Sequence, residues 1–111
     1  MRATGRSASS MGFGMTSQFE VYQLDNLKVV VLQHDFAETP TTVVAPLLTR
    51  CNVNRPLTGL MPEVMVGNAP MVVDIPALAA IRTNLLKARV GELTTYRESL
   101  RAALDLLFTG F

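Results

Sequence analysis

The sequence is poor in the residues that build metal centres and disulfides. Its 111 residues contain one cysteine, one histidine and no tryptophan. A single cysteine excludes an internal disulfide and any zinc site that needs several cysteines. A single histidine, His34, excludes a histidine-rich metal centre and leaves one imidazole base for any nucleophile. The sequence therefore predicts no metal, no cofactor and a reducing, cytoplasmic compartment.

Charge is also scarce, and long hydrophobic runs are absent. Charged residues make up 17% of the chain and hydrophobic residues 49%, with a formal net charge of +1. The apolar runs, such as those at residues 29–32 and 43–48, fall far short of the ~20 residues that a membrane-spanning helix needs. We therefore expect no membrane association. So small a net charge also argues against direct nucleic-acid binding, which depends on neutralising phosphates.

The N-terminal segment differs in composition from the rest of the chain. Residues 1–17 are rich in serine, glycine and threonine and have no hydrophobic period. They also lack the apolar stretch of ~7–15 residues that a secretory signal requires. We expect a disordered extension that contributes little to stability, followed by one folded domain over residues 18–111.

The folded part shows the alternation that is typical of β-strands. Residues 18–23 alternate, residues 27–32 form a β-branched run expected to be buried on both faces, and Asp25 and Asn26 between them predict a hairpin. Further strands are expected at residues 43–48, 60–66, 70–73 and 88–90. Pro46 has no amide hydrogen, so we expect its strand to lie at a sheet edge or to be bulged there.

Two segments have helical features. Residues 75–86 are ambiguous, but Pro76 after Asp74 favours at least one helical turn. Near the end of the chain, Thr95 and Glu98 fit a capping box that would start a helix. Apolar residues then recur at spacings of three and four, at Tyr96, Leu100, Ala103, Leu104, Leu107 and Phe108. Gly110 stands where a left-handed residue ends a helix.

Few polar side chains suggest chemistry. The sequence has no glycine-rich phosphate loop and no HExxH, CxxC or GxSxG motif. The candidates for acid–base or phosphate chemistry are His34 with Asp35, Cys51, Glu63, Arg50 and Arg55. None belongs to a recognisable motif, so we interpret them as ordinary solvated or half-buried side chains.

Five short segments resemble, in order and in spacing, the CcdB toxin family. They are QFEVY at residues 18–22, TP with VVAPL over residues 39–47, LMP at residues 60–62, VGEL at residues 90–93 and ALDLLFTGF at residues 103–111. The resemblance covers the chain from residue 18 onward. It implies a mainly β fold, an SH3-like barrel of antiparallel strands with a C-terminal α-helix.

The resemblance also implies a function. It suggests the toxin of a type II toxin–antitoxin module, used in plasmid maintenance, which binds the A subunit of DNA gyrase and has no enzymatic activity of its own. The implied partners are a second copy of the chain and an antitoxin of the CcdA type. The family makes its gyrase contact at the end of the helix, which corresponds here to Asp105, Thr109, Gly110 and Phe111. The family pattern has asparagine at Asp105 and tryptophan at Thr109.

A homodimer is expected on physical grounds as well. A chain that is 49% hydrophobic has more apolar surface than a single small core readily hides. We expect Ala103, Leu104 and Leu107 at the dimer interface, where the small side chain of Ala103 permits close approach.

Two other functions remain open. A MazF-like endoribonuclease toxin shares the barrel architecture but needs a base and cations around an RNA phosphate, for which only His34, Arg50 and Arg55 are available. A homologue without toxicity, which retains only antitoxin binding, would agree with the departure at Thr109.

Overall fold

The computed structural model describes residues 17–33, 40–53 and 57–110. Its strands in these ranges are β1 (Glu20–Leu24), β2 (Leu27–Val31), β3 (Thr41–Thr49), β4 (Glu63–Val66), β5 (Ala69–Val73), β6 (Ala79–Arg82) and β7 (Ala88–Glu92). The α-helix, α1, spans Arg97–Thr109. Short 3₁₀ turns lie at Arg50–Asn52, Ile75–Ala77, Thr83–Leu85 and Thr94–Tyr96. The predicted fold class is confirmed: an antiparallel sheet curls into a half-barrel, and a helix follows it.

β3 joins the two halves of the sheet. The strand order is β4-β5-β3-β2-β1-β7, and β6 also pairs with β3. One side of β3 pairs with β2, while the other side pairs first with β6 and then with β5. The two ends of the curled sheet lie close together, since a methyl group added at Gly91 of β7 would lie 3.9 Å from Val66 Cγ1 of β4.

The prediction that Pro46 places its strand at an edge or in a bulge is wrong, since β3 is paired on both sides. Pro46 lies opposite Val29 of β2, and its carbonyl accepts a hydrogen bond from the Asp74 amide at 2.9 Å on the other side. The nitrogen and carbonyl of one residue in an antiparallel strand face the same side. The Pro46 nitrogen therefore faces the gap between two neighbouring strands. Along β3, the pairing with β6 ends at Val44 and the pairing with β5 begins at Leu47. No ladder hydrogen bond is lost there.

The predicted β1–β2 hairpin is confirmed. Asp25 occupies its turn with a φ of 56°. Val29, Val30 and Val31 are all buried, as expected for a strand covered on both faces. Val30 belongs to the main core beneath the helix, whereas Val29 and Val31 belong to a smaller cluster on the opposite face that Leu86 helps to cover.

The remaining strands differ from the predictions mainly in their bounds. β4 starts only at Glu63, because residues 57–61 form a turn in which the amides of Leu60 and Met61 bond to the Leu57 carbonyl. The ambiguous residues 75–86 contain the expected helical turn at Ile75–Ala77, followed by β6 and a second turn. β7 is longer than predicted and bulges at Val90, since Val21 pairs with Gly91 and the next residue with Arg89.

The capping box predicted at Thr95 and Glu98 is wrong. The helix begins at Arg97, and Tyr96 occupies the N-cap without a side-chain hydrogen bond to the helix. The Tyr96 hydroxyl instead accepts a hydrogen bond from the Met65 amide at 3.1 Å, at the outer edge of β4. Thr95 itself lies within the 3₁₀ turn Thr94–Tyr96, which runs directly into the helix, so it does not take the extended conformation of an N-cap residue. No helix in the described residues is long and apolar enough to cross a membrane.

Candidate target-binding site at the end of the helix

α1 is anchored to the sheet along one side. Leu100 and Ala103 are fully buried in the main core, and Leu104 and Leu107 pack against it while partly buried. All three predicted dimer-interface residues thus face the core of their own chain: Ala103, Leu104 and Leu107. Their part in a dimer stays a prediction.

The last turns of the helix also contact the turn at residues 57–61. A methyl group in place of the Gly59 hydrogen would lie 3.0 Å from Leu106 Cδ2, so Leu106 packs closely over the glycine. Gly59 has a φ of +82°, a left-handed conformation that glycine adopts at little cost. The C-terminal half of α1 is therefore held by the core and by this turn.

The end of the helix has a defined geometry, as predicted for Gly110. Gly110 has a φ of 72° and its amide donates to the Leu106 carbonyl at 3.0 Å, which is a left-handed C-cap. The Thr109 hydroxyl donates to the Asp105 carbonyl at 2.7 Å. These bonds bring Asp105, Thr109 and Gly110 together in one exposed turn. Phe111 lies outside the described residues.

The structure adds a residue that the sequence analysis assigned to the wrong face. Phe108 was expected in the apolar stripe, but its side chain is 73% exposed. At about 100° per residue, Phe108 lies about 80° around the helix axis from Leu100 and about 20° from Arg101. The position of the exposed Arg101 beside it was the available signal that this flank faces solvent.

The candidate phosphate ligand Arg50 is engaged within the chain. Its Nε donates to Glu63 Oε2 at 2.9 Å, and its Nη1 donates to the Val53 carbonyl at 3.0 Å. Cys51 is exposed, and its thiol donates to Asn52 Oδ1 at 3.9 Å. The other candidates, His34 with Asp35 and Arg55, lie outside the described residues.

A second polar cluster stands on β1 and β7. Glu20 Oε1 accepts hydrogen bonds from the Ser17 amide at 2.8 Å and the Tyr22 hydroxyl at 2.9 Å, and Arg89 Nε bonds to Glu20 Oε2 at 2.8 Å. Burial, together with the Glu20 charge and hydrogen bond, raises the pKa of Tyr22 well above its usual value. Because each charge in this cluster has a partner, we interpret the cluster as a support for the N-terminal strand.

Two further observations limit the chemistry of the described residues. The side-chain and backbone hydrogen bonds from Thr94 lower the pKa of the exposed Glu92 carboxyl. Within residues 17–33, 40–53 and 57–110, no three histidine, cysteine or acidic side chains are grouped as metal ligands. The turn at the end of the helix, by contrast, offers a contact surface whose geometry is set by the Gly110 cap and the Thr109 hydrogen bond.

Comparisons with known proteins agree with this fold. The family model described as "CcdB protein" matches residues 18–110. The search of curated proteins finds no match. Among solved structures, the chain is similar to an "Endoribonuclease from Mycobacterial species", with 14% sequence identity and a TM-score of 0.69 over 89% of this chain and 96% of that chain. At this identity the likeness shows the fold alone.

Proposed function

This chain belongs to the CcdB family, and we propose on that premise that it is the toxin of a type II toxin–antitoxin pair. In this proposal the domain at residues 18–111, preceded by an extension at residues 1–17, acts in the cytoplasm as a homodimer. It binds the A subunit of DNA gyrase without being an enzyme, and an antitoxin of the CcdA type neutralises it. Its biological role is plasmid maintenance.

One observation carries the target-binding part of this proposal: the helix ends in an exposed turn whose geometry is already set. Gly110 stops the helix in a left-handed conformation, and Thr109 is bonded back to the preceding turn at Asp105. A surface that is ordered before binding loses little conformational entropy when a partner engages it. We therefore assign the gyrase contact to Asp105, Thr109, Gly110 and Phe111, as the family pattern implies.

The second candidate is an endoribonuclease toxin, because a protein of similar fold carries that name. Catalysis on RNA needs a base and cations that are free to reach a phosphate. Arg50, one of three residues available for this, donates to Glu63 and to the Val53 carbonyl instead. This engagement favours the binding function over the endoribonuclease.

A direct comparison of two assays separates these functions. The purified chain is added to gyrase with supercoiled DNA, and separately to a long single-stranded RNA. We expect trapped gyrase–DNA cleavage complexes and intact RNA. RNA cleavage without an effect on gyrase would favour the endoribonuclease, and antitoxin binding without either activity would identify a homologue that has lost its toxicity.

Deletion of Gly110 and Phe111 tests the assigned site. We expect this variant to lose gyrase binding while its thermal stability and its affinity for the antitoxin stay nearly unchanged. The same toxicity as the parent chain would show that the helix end is not the contact surface.

A further inference from the structure

We infer that the outer edge of β4 can accept a second copy of this chain as an added strand, and that the Tyr96 hydroxyl keeps this edge closed. Within the described residues, β4 ends the strand order and pairs only with β5. The free side of an edge strand presents unpaired amides and carbonyls on which another chain can build. The inference goes beyond the proposed function and does not depend on it.

The hydrogen bonds of β4 show which of its residues face outward. The Val73 amide donates to the Pro62 carbonyl at 2.9 Å, so the backbone of Pro62 faces β5. Alternate residues of an antiparallel strand face opposite sides, so Glu63 and Met65 direct their amides and carbonyls away from β5. The Tyr96 hydroxyl accepts a hydrogen bond from the Met65 amide at 3.1 Å, where the carbonyl of a further strand would lie.

Tyr96 is held in this position by its own surroundings. Its partly buried ring packs against the main core, and its amide donates to the Leu93 carbonyl at 2.9 Å in the turn that follows β7. β7 stands at the other end of the strand order and comes close to β4 without pairing with it. The hydroxyl therefore closes a gap that no strand of the described residues fills.

β4 lacks the other features that protect edge strands, which are charged side chains, proline and bulges. Its sequence, EVMV, has no proline, its register with β5 is continuous, and Met65 is 47% exposed. Its one charged residue, Glu63, is already bonded to Arg50 Nε at 2.9 Å. β7 differs, because its pairing with β1 is bulged at Val90. The protection of β4 therefore depends on Tyr96.

The outward positions of β4 are complementary to those of a second copy. In a two-fold antiparallel pairing centred on Val64, Glu63 of each chain lies opposite Met65 of the other. These are the residues whose amides and carbonyls face outward, so each pair can exchange backbone hydrogen bonds. The two Glu63 carboxylates do not lie opposite each other, which avoids the repulsion of like charges across strands. The edge is therefore suited to pairing with itself.

Sedimentation velocity of the full chain and of Tyr96→Phe, at increasing protein concentration, tests the inference. Phenylalanine keeps the ring and removes the hydrogen-bond acceptor. We expect the average mass of Tyr96→Phe to rise with concentration to about 2-fold that of the parent chain or more, whatever assembly the parent forms. The Met65 amide of the variant, which exchanges faster once its acceptor is gone, should become protected again as the concentration rises.

A matched control separates an open edge from a weakened fold. Gly67→Ala strains the turn between β4 and β5, where φ is +62°, but retains the Tyr96 hydroxyl. It should sediment as the parent chain does. Association of Gly67→Ala equal to that of Tyr96→Phe would overturn the inference, because destabilisation alone would then explain the rise in mass.

Two substitutions at Met65, each added to Tyr96→Phe, test the register. Met65→Glu places two carboxylates opposite each other in both pairs and should return the mass to the parent value, whereas the neutral Met65→Gln should not. Equal association of these two variants would contradict the register.

Three further results would overturn the inference. The first is an unchanged mass for Tyr96→Phe at every concentration. The second is protection of its Met65 amide that does not depend on concentration, since β7 of the same chain would then have filled the gap. The third is loss of its circular dichroism signal, which would show that the hydroxyl is needed for folding.

Discussion

Replacing Gly59 with alanine tests how the turn at residues 57–61 supports the helix. Two separate costs are expected. A φ of +82° places an alanine in the left-handed region, which costs about 1–2 kcal/mol. The new methyl group would also lie 3.0 Å from Leu106 Cδ2, well inside the 3.5–4.0 Å at which carbon atoms attract.

The second cost is the smaller one, because the contact atom belongs to a partly buried side chain that can shift. We assign it about 1 kcal/mol, at the lower end for overpacked sites. The expected loss of unfolding free energy for Gly59→Ala is therefore about 2–3 kcal/mol. Gly67→Ala is the matched control, since Gly67 has a φ of +62° with nothing within 4 Å of an added methyl group. It should lose only about 1–2 kcal/mol.

Urea unfolding followed by circular dichroism measures both variants, with the midpoint and the slope fitted together. Adding Leu106→Ala to Gly59→Ala removes the close contact, so the double variant should lose less than the sum of the two single losses. Equal losses for Gly59→Ala and Gly67→Ala, together with strict additivity in the double variant, would refute the proposed contact.

Two hydrogen-bonded tyrosines, the helix end and the N-terminal segment each allow a further test. Burial and a neighbouring carboxylate raise the pKa of Tyr22 in the folded chain. Its contribution to the free energy of unfolding should therefore be complete below the unfolded pKa of about 10 and fall by up to about 1.4 kcal/mol per pH unit above it. Between pH 9 and pH 11, the free energy of unfolding of Tyr22→Phe should fall less than that of the parent chain. Tyr96→Phe removes the acceptor of the Met65 amide, so that amide should exchange its hydrogen faster and stability should fall by about 1 kcal/mol. Thr109→Trp should strengthen gyrase poisoning in the cleavage-complex assay, and no gain would argue against the family contact. Removing residues 1–17 should change the unfolding free energy by less than about 1 kcal/mol, and a larger loss would show that the segment docks on the domain.

Local patterns predicted those parts of the fold that local interactions determine. The alternation before Asp25, the β-branched run after it and the glycine at position 110 each act within a few residues, and the structure agrees with all three. The helix end of the candidate site was found in this way, because Gly110 sets its geometry through a hydrogen bond to the preceding turn.

Contacts between distant segments account for what the sequence did not predict. Pro46 is accepted in a central strand because β5 and β6 share one side of β3, which no pattern around residue 46 reveals. Where a capping box was predicted, Thr95 lies in a 3₁₀ turn, and the next residue, Tyr96, bonds through its hydroxyl to the distant β4. Phe108 was misassigned because a spacing of three and four residues does not fix the width of the buried stripe.

The pairing of β1 with β7 has a consequence for the order in which the chain can fold. These strands are far apart in the sequence, yet Tyr22 pairs with Arg89 and the Leu93 amide bonds to the Phe19 carbonyl at 2.7 Å. During synthesis, the outer edge of β1 stays open until β7 has been made, and the helix that covers the core is made after β7. Pairings between such distant segments slow folding. A chain cut after β6 would therefore leave the outer edge of β1 unpaired and the main core without the helix that packs on it.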